Sequence, residues 1–226
     1  MPSSIWVDRA KPASTGLSRG SLVRAAVALL DADGLERVSM RRVAAELGVT
    51  VGALYWYVAT KDELLELALD EVLGEARVPD DVPGEWRDAL AAQAGRMRQV
   101  LLRHPWALPL LGRLPNIGPN AVELADAALG VATRAGFPDP GAVAAALHDQ
   151  VVGAVLAQTG LRHTAALAGD ERLGGYLAAA SEVHPAAASA MRAGTGADVA
   201  ARSDRRFAFS LGCLLDGLAA RLPDDA

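Results

Sequence analysis

The chain has 226 residues, 51% of them hydrophobic, and a formal net charge of −5, which suits a small domain joined to a larger one. Alanine, leucine and valine dominate while aromatics make up 4%, so helix is favoured over sheet. The lone Cys213 excludes an intrachain disulfide and fits a reducing cytoplasm, and no uninterrupted apolar run reaches the roughly 18 residues of a membrane span or forms a signal-peptide core.

Charge is unevenly distributed. Up to Lys61 there are eight Lys/Arg against five Asp/Glu; beyond it, fourteen against twenty-two. A basic end on an acidic body suits DNA binding at that end. Residues 1–17 are rich in Pro, Ser and Gly and are expected to form a flexible arm. It is either a plain disordered tail or one whose Arg9 and Lys11 enter a minor groove. Trp6 is unusual in a tail and suggests a docking point.

The next segment carries four helix starts of one construction. Ser18, Ser39, Thr50 and Thr60 occupy N-cap positions, each preceded by Leu17, Val38, Val49 or Ala59 and followed four residues on by Leu22, Val43, Leu54 or Leu64. Such pairs are hydrophobic staples, and Thr60 with Glu63 adds a capping box. The first helix, Arg19–Ala32, has Leu22, Ala25, Ala26, Leu29 and Leu30 on one stripe and ends at Gly34. The second, Met40–Leu47, ends at Gly48, where a left-handed residue is needed. The third covers Val51–Tyr57. Two short helices about a glycine turn are helix-turn-helix geometry, whose second helix fits a DNA major groove.

Two features of this segment point outward. Arg41 and Arg42 occupy the first turn of the second helix, and Lys61 that of the fourth. Cations there oppose the helix dipole by a few tenths to about 1 kcal/mol, a penalty an external phosphate offsets; solvated arginines are the plainer reading. Tyr55, Trp56 and Tyr57 are consecutive, so one helix face cannot bury all three. One ring is expected inward and two toward DNA, where a tyrosine hydroxyl donates to phosphate.

These residues, above all the run LGVTVGALYWYVATKDELL, resemble the tetracycline repressor (TetR) family of bacterial regulators. The resemblance covers about Ser18–Leu73. It implies an all-α homodimer whose N-terminal three-helix domain binds a palindromic operator and whose larger helical domain binds a small effector that releases the DNA. Carried over by position, Tyr55 and Lys61 match phosphate contacts and Arg41 a contact opening the second helix. Val51, Gly52, Ala53, Trp56 and Tyr57 match the groove-facing helix. The family's tetracycline-binding members carry polar base-reading side chains at the start of that helix; Val51 and Ala53 offer only apolar contacts, for instance to a thymine methyl. Base reading then leans on Arg41, Arg42 and Tyr57, an Arg–guanine pair being worth about 1–3 kcal/mol of discrimination. Gly52 either admits close backbone approach to DNA or is simply tolerated at a helix start.

Further helices follow. The fourth, Lys61–Glu75, bridges to the body, and Pro79, Pro83 and Gly84 mark a loop. The fifth spans Trp86–Arg103 and is broken by His104-Pro105. A short one lies at Trp106–Leu111, and a seventh at Asn120–Ala135. Asp139-Pro140 opens an eighth, running to Gly160. Short helices are expected at Glu171–Ala180 and Pro185–Arg192, then a flexible Gly194–Gly196 link. The last helix, Asp204–Leu222, is capped by Ser203 and carries Phe207, Leu211, Leu214, Leu215, Leu218 and Leu222 on one stripe. The division is an arm (1–17), a helix-turn-helix domain (18–62) and an effector-binding and dimerisation domain (63–226). The eighth and last helices suit a four-helix bundle in a homodimer.

No catalytic set is present. His104, His148, His163 and His184 have no metal-ligand spacing, and there is no nucleophile elbow, phosphate loop or CxxC. No metal or cofactor is expected. The effector site is expected between the fifth and eighth helices, lined by Trp106, Leu110, Leu114, Val151, Val155 and Gln158, with Met97, Leu101 and His148 near. This is a mainly apolar set with a few polar groups, as ligand sites usually are. The tetracycline-binding members use a histidine and an acidic residue around magnesium; the matching positions here fall near Leu110 and Ala157, so a largely apolar effector is expected instead. The expected function is a cytoplasmic transcriptional regulator, a repressor of operator DNA, with no membrane partner and no enzymatic activity. The alternative is a helical small-molecule-binding protein or enzyme without sequence-specific DNA binding.

Overall fold

The computed structural model describes residues 5–6, 17–78, 85–166, 170–194 and 198–223. Eleven α-helices occur among them, and no strand. They are α1 (Arg19–Asp33), α2 (Met40–Glu46), α3 (Val51–Leu54), α4 (Lys61–Leu73), α5 (Trp86–Arg103), α6 (Leu108–Leu111), α7 (Pro119–Arg134), α8 (Pro140–Ala166), α9 (Glu171–Val183), α10 (Pro185–Gly194) and α11 (Val199–Ala219). Single 3-10 turns lie at Gly74–Ala76 and Pro105–Ala107. The Pro79–Gly84 loop, most of the arm and most of the Gly194–Gly196 link lie outside the described residues.

The chain forms two compact units. The first runs to Ala145 and is built on α4. Leu22, Ala26 and Leu30 of α1, Val43 and Ala44 of α2 and Leu54 of α3 are all buried, as are Leu64, Leu65, Ala68, Leu69 and Val72 of α4. Every α4 residue from Glu63 to Asp70 is buried, because α1, α5 and α7 all pack against it. Buried carboxylates on such a helix need partners. Glu63 accepts the N–H of Ala59 (2.6 Å), while Asp70 accepts the N–H groups of Asn120 (3.3 Å) and Ala121 (2.9 Å). Asp70 thus caps α7 from a different helix, where the residue at the cap itself, Gly118, has no side chain to offer. Trp86 and Phe137 meet edge to face, 5.0 Å between centroids, fastening the start of α5 to the turn after α7.

The second unit, Ala146–Arg221, contains the rest of α8 with α9, α10 and α11. Its core is Val151 and Val155 of α8 with Phe207, Leu211, Leu215 and Leu218 of α11. α9 and α10 pack on each other. By length and composition alone α8 could cross a membrane, its most apolar 18 residues averaging a mean hydropathy of 1.3. It also carries His148, Asp149, Gln150 and Gln158, and its Val151–Val155–Gln158 face is buried against protein.

Four expectations are corrected. α3 stops at Leu54 and Tyr55–Tyr57 form a turn, since aromatic residues are indifferent helix formers. At Thr60 the side chain accepts the Glu63 N–H (3.1 Å), but Glu63 reaches the N–H of Ala59 rather than that of Thr60, so the capping box is offset by a residue. α8 continues past Gly160 to Ala166, an internal glycine costing only about 1 kcal/mol. α11 begins at Val199 under an Asp198 cap, and Ser203 is an internal, buried residue.

Candidate nucleic-acid interface

Ser39 accepts the Arg42 N–H (3.4 Å), and Thr50 accepts the Ala53 N–H (3.3 Å). Between them Gly48 adopts φ +65°, which reverses the chain between α2 and α3. Leu54 is fully buried and anchors α3. Val51 and Ala53 are half-buried and Gly52 is exposed. A Cβ at Gly52 would meet only the Thr50 hydroxyl, at 3.9 Å, so nothing inside the molecule demands glycine there.

One of the three rings is engaged inside the chain, and it is Tyr57, which was expected to help read bases. Tyr57 turns inward and its hydroxyl donates to the Leu17 carbonyl (2.7 Å). Tyr55 and Trp56 stay 52% and 71% exposed. The cations divide as well. Arg41 is exposed and makes no ion pair among the described residues. Arg42 pairs with Asp33 (2.5 Å), so its unfavourable position is answered from within. Lys61 is half-buried with Nζ 3.5 Å from the Leu35 carbonyl, a long contact that leaves donors over. The exposed surface is therefore Arg41, Gly52, Tyr55 and Trp56, with Lys61 beside it.

The expected effector residues fall in both units. Leu101, Trp106 and Leu110 are buried and Met97 and Leu114 half-buried in the first. Val151, Val155 and Gln158 are buried in the second, whereas His148 is exposed. A cluster not anticipated from the sequence surrounds Trp106. His104 is buried, its Nδ1 2.7 Å from Asp31 of α1 and its Nε2 3.4 Å from Glu75. Trp106 donates to the same Asp31 oxygen (2.6 Å), and Arg103 pairs with Glu75 (2.6 Å). Farther along, Arg113 pairs with Asp62, next to Lys61 (2.7 Å). One signal was available: Asp31 and Asp33 stand in the last turn of α1, where carboxylates oppose the helix dipole, and each proves to have a partner.

Two family signatures cover most of the chain. Residues 22–68 match "Bacterial regulatory proteins, tetR family", and residues 78–222 match "Tetracyclin repressor-like, C-terminal domain". The chain belongs to the TetR family. It is 38% identical over 208 residues to an HTH-type transcriptional regulator of Saccharopolyspora erythraea, covering 90% of this chain and 88% of that one. It is 33% identical to the class A tetracycline repressor from transposon 1721 of Escherichia coli, over 92% and 93% of the two chains. The crystal structure of the Streptomyces coelicolor TetR family protein ActR in complex with actinorhodin matches with a TM-score of 0.74 at 26% identity, covering 94% of this chain and 100% of that one. The protein is thus a transcriptional regulator of the TetR family, all-α with an N-terminal helix-turn-helix.

Proposed function

We propose that this TetR-family regulator is a homodimeric repressor that binds a palindromic operator and is released by a small organic effector. The observation that carries the reading is the exposed surface of α2, α3 and the turn after it. Exposed Arg41 serves as base reader, Tyr55 and Lys61 hold phosphates, and Gly52, Val51, Ala53 and Trp56 lie along the groove. Tyr57 and Arg42, being engaged within the chain, act mainly by orienting the others. The reading keeps the division drawn from the sequence: an arm to residue 17, a reading head to 62 and a body beyond.

α8 and α11 form the dimer interface in this reading. Supporting it, Leu156 on α8 and Phe209 on α11, both large apolar groups, are 61% and 74% exposed. The effector site draws on Met97, Leu101, Trp106, Leu110 and Leu114 of the first unit. Leu110 and Ala157 replace metal-binding chemistry with apolar contact, and a relative of this fold was crystallised with the organic molecule actinorhodin. Release works by population shift: ligand displaces α6, and α4, tied to the segment after α6 through Arg113–Asp62 and Asp70, moves the heads apart. A coupling of about 1–3 kcal/mol gives roughly 5–150-fold release. The protein works in the cytoplasm and catalyses no reaction.

Selection of the purified protein against random duplex DNA at near-physiological salt tests the reading. A recovered palindrome is the expected result and supplies the operator for effector screening. Recovery of no preferred sequence would favour a helical small-molecule-binding protein instead.

A further inference from the structure

Asp33 carries a charge that the regulatory reading leaves unused. It stands in the last turn of α1, where a carboxylate opposes the helix dipole, and Arg42 stands in the first turn of α2, where a guanidinium does. Neither charge is called for by its own helix. The two meet across the corner between α1 and α2. Arg42 Nη2 donates to Asp33 Oδ2 at 2.5 Å, and Nη1 donates to the Arg37 carbonyl at 3.4 Å.

The pair is asymmetric. The Asp33 side chain is 22% exposed and that of Arg42 45%, so the carboxylate is the fixed member and the guanidinium the one with room to leave. Exposed ion pairs of this kind add little to stability, so folding alone gives weak reason to keep it. Arg42 also directly follows Arg41, the exposed cation in the first turn of the same helix. Released from Asp33, its long side chain would stand beside Arg41 with its donors open to a phosphate. Held on Asp33, its charge is matched by a carboxylate that itself repels phosphate.

Such restraint has a use. Phosphate contacts raise affinity for every sequence alike, whereas selectivity is the ratio of operator binding to random-sequence binding over many competing sites. A cation kept off the backbone lowers random-sequence binding without touching a base contact. We propose that Asp33 is a positioning residue that determines specificity: it holds Arg42 away from the DNA backbone and so lowers affinity for DNA of arbitrary sequence. The proposal rests on the regulatory reading in one respect, that α2 and α3 meet DNA. It needs no knowledge of the operator.

The test uses the full-length protein and a fluorescent duplex of random sequence, with binding followed by anisotropy over a series of salt concentrations. Asp33→Ala should bind about fivefold to tenfold more tightly near 0.1 M salt and steepen the slope of log affinity against log salt by about 1, the signature of one added phosphate contact. Asp33→Glu should restore the parental slope. Arg42→Gln should remove that added slope in the Asp33→Ala protein and change the slope much less in the parent. This dependence on background is what separates a withheld arginine from a change in net charge, which would act equally in both. A pair that merely ties α1 to α2 would lower the melting temperature alike in both single variants and leave the slope unmoved, and that result overturns the proposal. So does an equal effect of Arg42→Gln in both backgrounds, or a gain that survives in the double variant. Absence of duplex binding by the parent and every variant at the lowest salt would overturn the DNA-binding reading and the proposal with it.

Discussion

Tyr55 and Tyr57 are two residues apart and have opposite commitments. The Tyr57 hydroxyl is held by the Leu17 carbonyl at 2.7 Å, while Tyr55 is 52% exposed. Tyr57→Phe should therefore lower stability by about 0.5–1.5 kcal/mol, whereas Tyr55→Phe should stay within about 0.5 kcal/mol of the parent and weaken operator binding. Denaturant melts and gel shifts on the two variants separate these roles; the reverse pattern would mean the rings are assigned the wrong way round. Lys61→Ala should weaken binding to any duplex and reduce the slope of log affinity against log salt by about 1. Asp31 is a third residue to probe, because it accepts from both His104 and Trp106. Asp31→Asn retains its shape and loses the charge, so stability should fall by roughly 1–3 kcal/mol. An unchanged urea midpoint would show those two bonds to be marginal.

At the scale of elements, the α4–α7 junction depends on missing side chains. A Cβ on Gly118 would collide with the Asp70 carboxylate and lie 2.7 Å from Trp6 Cζ2, and one on Gly74 would lie 2.9 Å from Asn120 Oδ1. Gly118→Ala should destabilise by about 1–3 kcal/mol through overpacking, read as a lower melting temperature; an unaltered melt would show that Asp70 and Trp6 can give way freely. Trp6 proves to be the docking point that its presence in a Pro- and Ser-rich tail suggested. Much of the helix plan was legible because caps and staples are local: Ser39, Thr50 and Thr60 all cap where expected, and α5 spans Trp86–Arg103 as read from its periodicity. Local signals also misled. Ser203 looks like a cap before Asp204, yet Val199–Arg202 are acceptable helix formers and Asp198 caps one turn earlier. The Asp31–His104–Trp106 cluster was illegible for a different reason. Asp31 is more than seventy residues from both of its partners in sequence, and no periodic pattern encodes a contact at that range.

For the whole molecule, assembly is the property to test. Leu156 and Phe209 are exposed on α8 and α11, and a palindrome requires two linked heads. Phe209→Glu should convert a dimer to a monomer on size-exclusion chromatography with light scattering, retain helical content, and lower operator affinity sharply. A dimer that persists would place the interface on another surface.

The clasp on Asp31 limits how freely this architecture can be recombined. New regulators are readily imagined as exchanges of one reading head for another on a common sensor. Here the last turn of α1 is fastened to His104 and Trp106 of the body, and α1 also packs along α4. A head transplanted without an acid at position 31 would leave a buried imidazole and an indole N–H lacking that acceptor, and a body transplanted without His104 and Trp106 would leave the acid exposed in an unfavourable helix end. Viable exchanges should therefore carry both sides of the clasp together, so that heads and bodies diversify as matched pairs rather than as interchangeable parts.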